Sequence, residues 1–139
     1  MGGYRCERET IEEILKLTQC HPYYTQMLCH IIWEEAEAKK INQSTIEKSM
    51  KKLVARESSN YSNIWEGLSQ GQKRLLVSIA EEETAEVFSG NFIRRHNLSS
   101  PSSIQKSLKT LLEKELLEKT NSGYTVENIF FKQWLRQTF

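Results

Sequence analysis

A mainly α fold in two parts, a helical bundle and then a compact helical module with a small β-hairpin, is what this 139-residue sequence predicts. Three observations predict it. Apolar residues recur at helical spacing in one stretch after another. Ser/Thr-led capping patterns stand in front of several of those stretches. The turn composition best suited to joining two short strands, Asn121-Ser122-Gly123, falls near the C-terminus.

The elements follow in order. Thr10-Ile11-Glu12-Glu13 has capping-box spacing, and Ile11, Ile14, Leu15 and Leu17 continue as one apolar stripe. That pattern lapses before Pro22, a residue suited to the first helical position, where a second helix is expected. Tyr24, Met27, Leu28, Ile31 and Ile32 form its apolar face, and Glu34, Glu35, Glu37, Lys39 and Lys40 a solvated end. Ser44-Thr45-Ile46-Glu47 is a second box, opening a helix with Ile46, Met50, Leu53 and Val54 on one side. Glu57-Ser58-Ser59-Asn60 interrupts it, and Tyr61, Ile64, Trp65 and Leu68 lead to a junction at Gly67.

A third box, Ser69-Gln70-Gly71-Gln72, precedes Leu75, Leu76, Ile79 and Ala80. Val87-Phe88 reads as a short strand, and Asn91 to His96 as a short helix after Ser89-Gly90. Ser100-Pro101 supplies an N-cap and a first-turn proline for a helix that carries Ile104, Leu108, Leu111 and Leu112 on one face. Leu116 to Thr120 and Tyr124 to Val126 read as the hairpin strands. Ile129, Phe130, Phe131, Trp134 and Leu135 read as a closing helix that folds an aromatic face onto the core. Three domains are therefore expected: 1–8 as an added start and linker on an excised fragment, 9–67 as a helical lid-like subdomain, and 68–139 as a second domain.

Composition excludes several classes. The net charge is +1, with 9 basic against 10 acidic residues up to Gly67 and 10 against 8 after it, so nucleic-acid binding must rest on local placement of Lys and Arg. No apolar run approaches the roughly 20 residues that cross a bilayer, and a cytoplasmic protein with no membrane partner is expected. Cys6, Cys20 and Cys29 are an odd set confined to the start, which fits reduced thiols. Cys20-His21 and Cys29-His30 are sequence neighbours that diverge by about 100° on a helix, so they read as ordinary residues and no metal site is expected.

Helix, short strand, helix, long capped helix and hairpin is the order of a winged helix-turn-helix, so residues 68–139 read as a winged-helix domain. On its long helix, Ser102, Lys106, Lys109 and Glu113 lie opposite the Ile104 and Leu108 stripe. Lys106 and Lys109 are candidate phosphate contacts, and Ser102, Ser103 and Gln105 candidate base-edge or backbone contacts. Lys119, Asn121 and Ser122 would sit on the wing, and Arg94, Arg95 and His96 would add positive charge on the preceding helix.

Cys20-His21-Pro22-Tyr23-Tyr24-Thr25-Gln26, with the helix that ends in Trp33-Glu34-Glu35, resembles the lid segment of archaeal-type ATPases of the STAND branch of AAA+ proteins. Ile64-Trp65-Glu66-Gly67-Leu68-Ser69, Gln72-Lys73, Ser100 to Gln105, Gly123-Tyr124-Thr125-Val126 and Trp134-Leu135 resemble the C-terminal winged-helix region of the same family. The likeness spans about residues 10 to 136. It implies an N-terminal P-loop ATPase domain in cis, with ATP and Mg bound by that parent and not by this chain. It also implies that Pro22, with His21 beside it, lies near the bound adenine. Cys20 stands where the family's turn has glycine, and the second helix begins without an Arg that could act as a lid sensor.

The chain has no Gly-x-x-x-x-Gly-Lys-[Ser/Thr] loop and no Asp at all, so no catalytic residues and no enzymatic activity of its own are expected. The expected role is that of the non-catalytic C-terminal portion of a STAND/AAA+ ATPase. It would couple the nucleotide state of the P-loop domain to a winged helix that contacts DNA or a protein partner. The alternatives are a free-standing winged-helix transcription regulator with an N-terminal helical dimerisation domain, or a purely structural protein-interaction module.

Overall fold

The structure is a computed structural model and describes residues 8–36 and 41–139. Residues 1–7 of the expected start segment, Cys6 among them, and the end of the second helix at Glu37, Lys39 and Lys40 lie outside the described residues. The chain divides into two compact units, residues 1–58 and 59–139. The boundary therefore falls before the junction expected at Gly67, and places Tyr61, Ile64 and Trp65 with the second unit.

In the first unit, α1 (Arg8–Thr18) begins earlier than its capping pattern suggested. Arg8 and Glu9 already belong to the helix and Arg8 pairs with Glu12 at 3.2 Å, so Thr10 is a helical residue and not a cap. Of the expected stripe, Ile14 is buried while Ile11 and Leu15 are exposed at 47% and 39%. The contact that closes this end is polar. The buried Thr18 hydroxyl lies 2.9 Å from the Ile14 carbonyl and 2.8 Å from the Thr25 hydroxyl, which ties α1 to α2 (Pro22–Glu35). Pro22 stands in the first turn of α2 as expected, and Leu28, Ile31 and Ile32 are its buried face.

The third helix, α3 (Gln43–Glu66), starts under Asn42 and not under Ser44. The Asn42 side-chain oxygen accepts from the Thr45 amide at 3.0 Å and from its hydroxyl at 3.1 Å, satisfying an amide that would otherwise be orphaned. Ile46, Met50, Leu53 and Val54 are buried, as their spacing required. The interruption expected over Glu57 to Asn60 does not occur. Ser and Asn cost a helix only a few tenths of a kcal/mol each, and burial of Val54 before them and Tyr61 after them outweighs that cost.

The second unit holds the end of α3 and then α4 (Gln70–Glu81), α5 (Gly90–Arg95), α6 (Pro101–Glu113), β1 (Leu117–Thr120), β2 (Gly123–Val126) and α7 (Ile129–Thr138). Three of its four caps are the expected ones, and Asn128 is an addition. Ser69 and Gln72 make both arms of a capping box, Ser89 caps α5, Ser100 caps α6, and the Asn128 side chain accepts two amides at the start of α7. Leu75, Leu76 and Ile79 of α4, Leu111 of α6 and the α7 aromatics Phe130, Phe131 and Trp134 build one core. Tyr61 joins it, with its ring 5.2 Å from that of Phe131 and 6.0 Å from that of Trp134.

The strand expected at Val87-Phe88 is a turn, and the extended residue lies earlier. Thr84 forms a single antiparallel bridge to Tyr124, whose amide donates to the Thr84 carbonyl at 2.9 Å. Val87 is fully buried, so its apolar character reflects the core and not a ladder. β1 and β2 pair antiparallel, with Thr120 opposite Gly123 across the Asn121-Ser122 turn. Gly123 has a φ of 129°, and a Cβ there would lie 2.3 Å from the Ala85 nitrogen. Only glycine fits a backbone that close.

Candidate nucleic-acid interface

α6 positions the candidate DNA-facing residues. Its first turn is fixed by Pro101 and by the Ser100 hydroxyl, which accepts from the Ser103 amide at 3.3 Å. Ile104, Leu108 and Leu111 lock one side into the core. The opposite side then points outward: Ser102, Gln105, Lys106, Lys109 and Glu113 are all exposed. Ser103 is exposed too, but about 100° round the helix from Ser102, and its hydroxyl accepts from that of Ser100 at 3.2 Å. The Ser102 hydroxyl lies 3.2 Å from the same Ser100 oxygen.

The wing carries Lys119 on β1, with its ammonium 5.8 Å from the centre of the cross-strand Tyr124 ring. Asn121 and Ser122 are exposed at the tip. The structure thus brings Ser102, Gln105, Lys106 and Lys109 onto one face of a single helix and sets Lys119 on a separate element.

The positive cluster expected on α5 is corrected for Arg95 and His96, while Arg94 keeps its exposed charge. Arg95 forks onto Glu82 with contacts of 2.6 Å and 3.2 Å, so its charge is matched. His96 turns inward, 2.9 Å from Glu82 and 3.7 Å from Glu81, with its ring 4.5 Å from that of Phe92. The His96 and Arg95 hydrogen bonds hold the Glu82 carboxyl below its ordinary value. Arg94 contacts Asn91 at 2.6 Å. By contrast Lys106 and Lys109 make no ion pair among the described residues. Sequence reasoning assigned no site role to Lys73 and Arg74 of α4. The Arg74 guanidinium reaches the Asn97 carbonyl at 3.3 Å, and the Lys73 ammonium sits 5.4 Å from the Trp65 ring centre.

At the other candidate position, His21 and Pro22 are both exposed, and the His21 ring lies 5.1 Å from that of Tyr24. The turn before them uses its own amides. Cys20 donates to the Leu15 carbonyl and His21 to the Thr18 carbonyl, each at 2.9 Å. Such a turn can meet a nucleotide base through ring faces but offers no Cys20 or His21 amide to a phosphate. Cys20 adopts a φ of 57°, a conformation that favours glycine.

Among the described residues no three His, Cys, Asp or Glu side chains converge as metal ligands. No described helix is long and apolar enough to cross a membrane. Neither the curated proteins nor the solved structures contain a match to this chain. A family model described as "Probable winged helix domain" matches residues 59–137. That span coincides with the second compact unit and covers more than half of the sequence. With its capped α6, its β1–β2 wing and this match, the chain belongs to the family of that probable winged helix domain.

Proposed function

We propose that the winged helix binds duplex DNA, with α6 in the major groove and the wing against flanking phosphates. One contrast carries this reading: Arg95 is neutralised by Glu82, whereas Lys106 and Lys109 stand exposed beside Ser102 and Gln105 with no acidic partner among the described residues. Groove-reading helices need that combination of phosphate-seeking cations and short polar side chains on one face. Glu113 on the same stripe limits the contact to the N-terminal two-thirds of α6. Titration of a mixed-sequence duplex at rising salt tests the reading. Lys106→Glu with Lys109→Glu should abolish measurable binding. Lys106→Gln with Lys109→Gln should lower the log–log salt slope by about 1.8, that is about 0.9 per lost phosphate contact. Equal binding by these variants and the parent chain overturns the assignment.

We further propose that the chain is the non-catalytic output end of a STAND/AAA+ ATPase, whose P-loop domain in cis holds ATP and Mg. The support is the order of the His21-Pro22 turn, α2 and the winged helix. The glycine-type conformation of Cys20 also fits the family's turn. A coding sequence upstream of this segment without a P-loop removes the parentage but leaves the DNA reading standing. A second reading, a free-standing regulator or interaction module, has the exposed Ile11, Leu15, Tyr23 and Trp33 in its favour. Self-association lost on Ile11→Lys and Leu15→Lys would favour it.

A further inference from the structure

The winged-helix unit holds a cleft that neither α6 nor the wing uses. It is an open depression along α4, bordered by the turn after α5, and measures about 450 Å³. Small-molecule sites span about 300–1,000 Å³, so the space suits a ligand of modest size. One wall is aromatic. Trp65 and Phe139 stack with their ring centres 4.3 Å apart and an interplanar angle of 26°, and Phe139 remains 53% exposed. Val77 extends that apolar wall.

Two cations border the same space. Lys73 makes no ion pair among the described residues, and its ammonium sits 5.4 Å from the Trp65 ring centre. Arg74 uses one nitrogen on the Asn97 carbonyl, which leaves most of its five N–H donors for a ligand. Arg95 also borders the cleft but is committed to Glu82. Glu81 stands on the same rim and opposes a second negative charge on any guest. A flat apolar wall, two available cations and one opposing carboxylate together select a planar guest with a single negative charge.

We propose that this cleft binds a small aromatic carboxylate, with its ring against the exposed Phe139 and its carboxylate on Lys73 and Arg74. The site bears on the DNA-facing helix, because Asn97 leads through Leu98 into the α6 cap. Arg74 also borders a smaller hollow of about 140 Å³ lined by Ile104 and Ser107 of α6. The inference does not depend on DNA binding and survives its failure.

The test is a titration of the chain with naphthalene-carboxylate, followed by amide NMR shifts. Saturable shifts are expected at Lys73, Arg74, Asn97 and Phe139, and the neutral isostere naphthalene-methanol should bind at least about tenfold more weakly, a difference of about 1.4 kcal/mol. Lys73→Gln with Arg74→Gln should weaken the carboxylate to a similar degree while the amide shifts of the β1–β2 wing remain those of the folded unit. Absence of saturation by about 10 mM, a weaker affinity than any site of this kind needs, overturns the proposal. Equal binding of the carboxylate and the neutral isostere to the unaltered chain also overturns it, without recourse to any variant.

Discussion

At Cys20 and at Gly123 the backbone takes a positive φ, 57° and 129°, yet only the second site excludes a side chain. Cys20 lies in an exposed turn, with its Sγ 3.8 Å from the Leu15 carbonyl. Gly123 opens β2 within the wing, where a Cβ would meet the Thr84 and Ala85 backbone between 2.3 and 2.6 Å. The difference is one of commitment. The α1–α2 turn carries backbone strain in open space, so its side chains are available to be changed. The wing has no such freedom, because a neighbouring segment of main chain occupies the space.

The contrast can be broken first at the wing. Gly123→Ala should cost about 3 kcal/mol, since strain at a forbidden φ adds to a backbone clash that no rotamer relieves. Denaturant unfolding that shows a loss under about 1 kcal/mol would put the two turns on a par. Next come the caps. Ser69→Ala removes a two-armed capping box and should cost about 1 kcal/mol. His21→Ala should stay within about 0.5 kcal/mol, because His21 makes no side-chain cap bond. At the turn itself Cys20→Gly should stabilise by about 0.5 kcal/mol, relief of left-handed strain outweighing the added freedom of the unfolded chain. A loss there would show that the Cys20 side chain is needed after all.

The smallest effects are those of pH, and they have opposite signs in the two regions. Glu83 next to the wing is held below its ordinary value chiefly by its hydrogen bond to Lys132, and Glu82 by His96 and Arg95. A depressed folded-state value gives stability that is present above the ordinary carboxylate range and lost as pH falls through the folded value. Tyr23, beside the α1–α2 turn, is raised above its ordinary 10.0 because its phenol donates to Glu57 at 2.9 Å. Its contribution is present below pH 10.0 and lost as pH rises through the higher folded value. Amide NMR on falling pH should therefore perturb Glu83 and Thr125, and ring-carbon NMR on rising pH should show Tyr23 ionising above its ordinary 10.0. Ionisation of Tyr23 at or below pH 10.0 would break the comparison.

How far the chain could be read in advance varied with how local each cause was. Ser69 with Gln72 and Ser100 with Pro101 specify their helix starts within a few residues, and both hold. Thr10 with Glu13 and Ser44 with Glu47 have the same spacing but stand inside helices, because residues upstream extend the helix or supply the cap, as Asn42 does. Glu57 to Asn60 looked like a break since propensity is local, whereas the burial of Tyr61 that carries α3 through is tertiary. Val87 looked like strand for the same reason. At the candidate interface, the outward face of α6 follows from periodicity alone. Pairing of Arg95 and His96 with Glu82 does not, since those partners meet only when α5 folds against the end of α4. The cleft beside Lys73 and Arg74 likewise needs Trp65 and Phe139 from distant parts of the second unit.

The single Thr84–Tyr124 bridge gives the wing an uneven timetable of amide hydrogen exchange. The Tyr124 amide, bonded at 2.9 Å to a carbonyl outside the hairpin, exchanges only when that neighbouring segment detaches. The amides of Asn121 and Ser122, exposed at the tip, exchange at once. Anything that grips the tip therefore pulls on the residues just after α4, and a change in Tyr124 exchange reports contact at the wing from inside the unit.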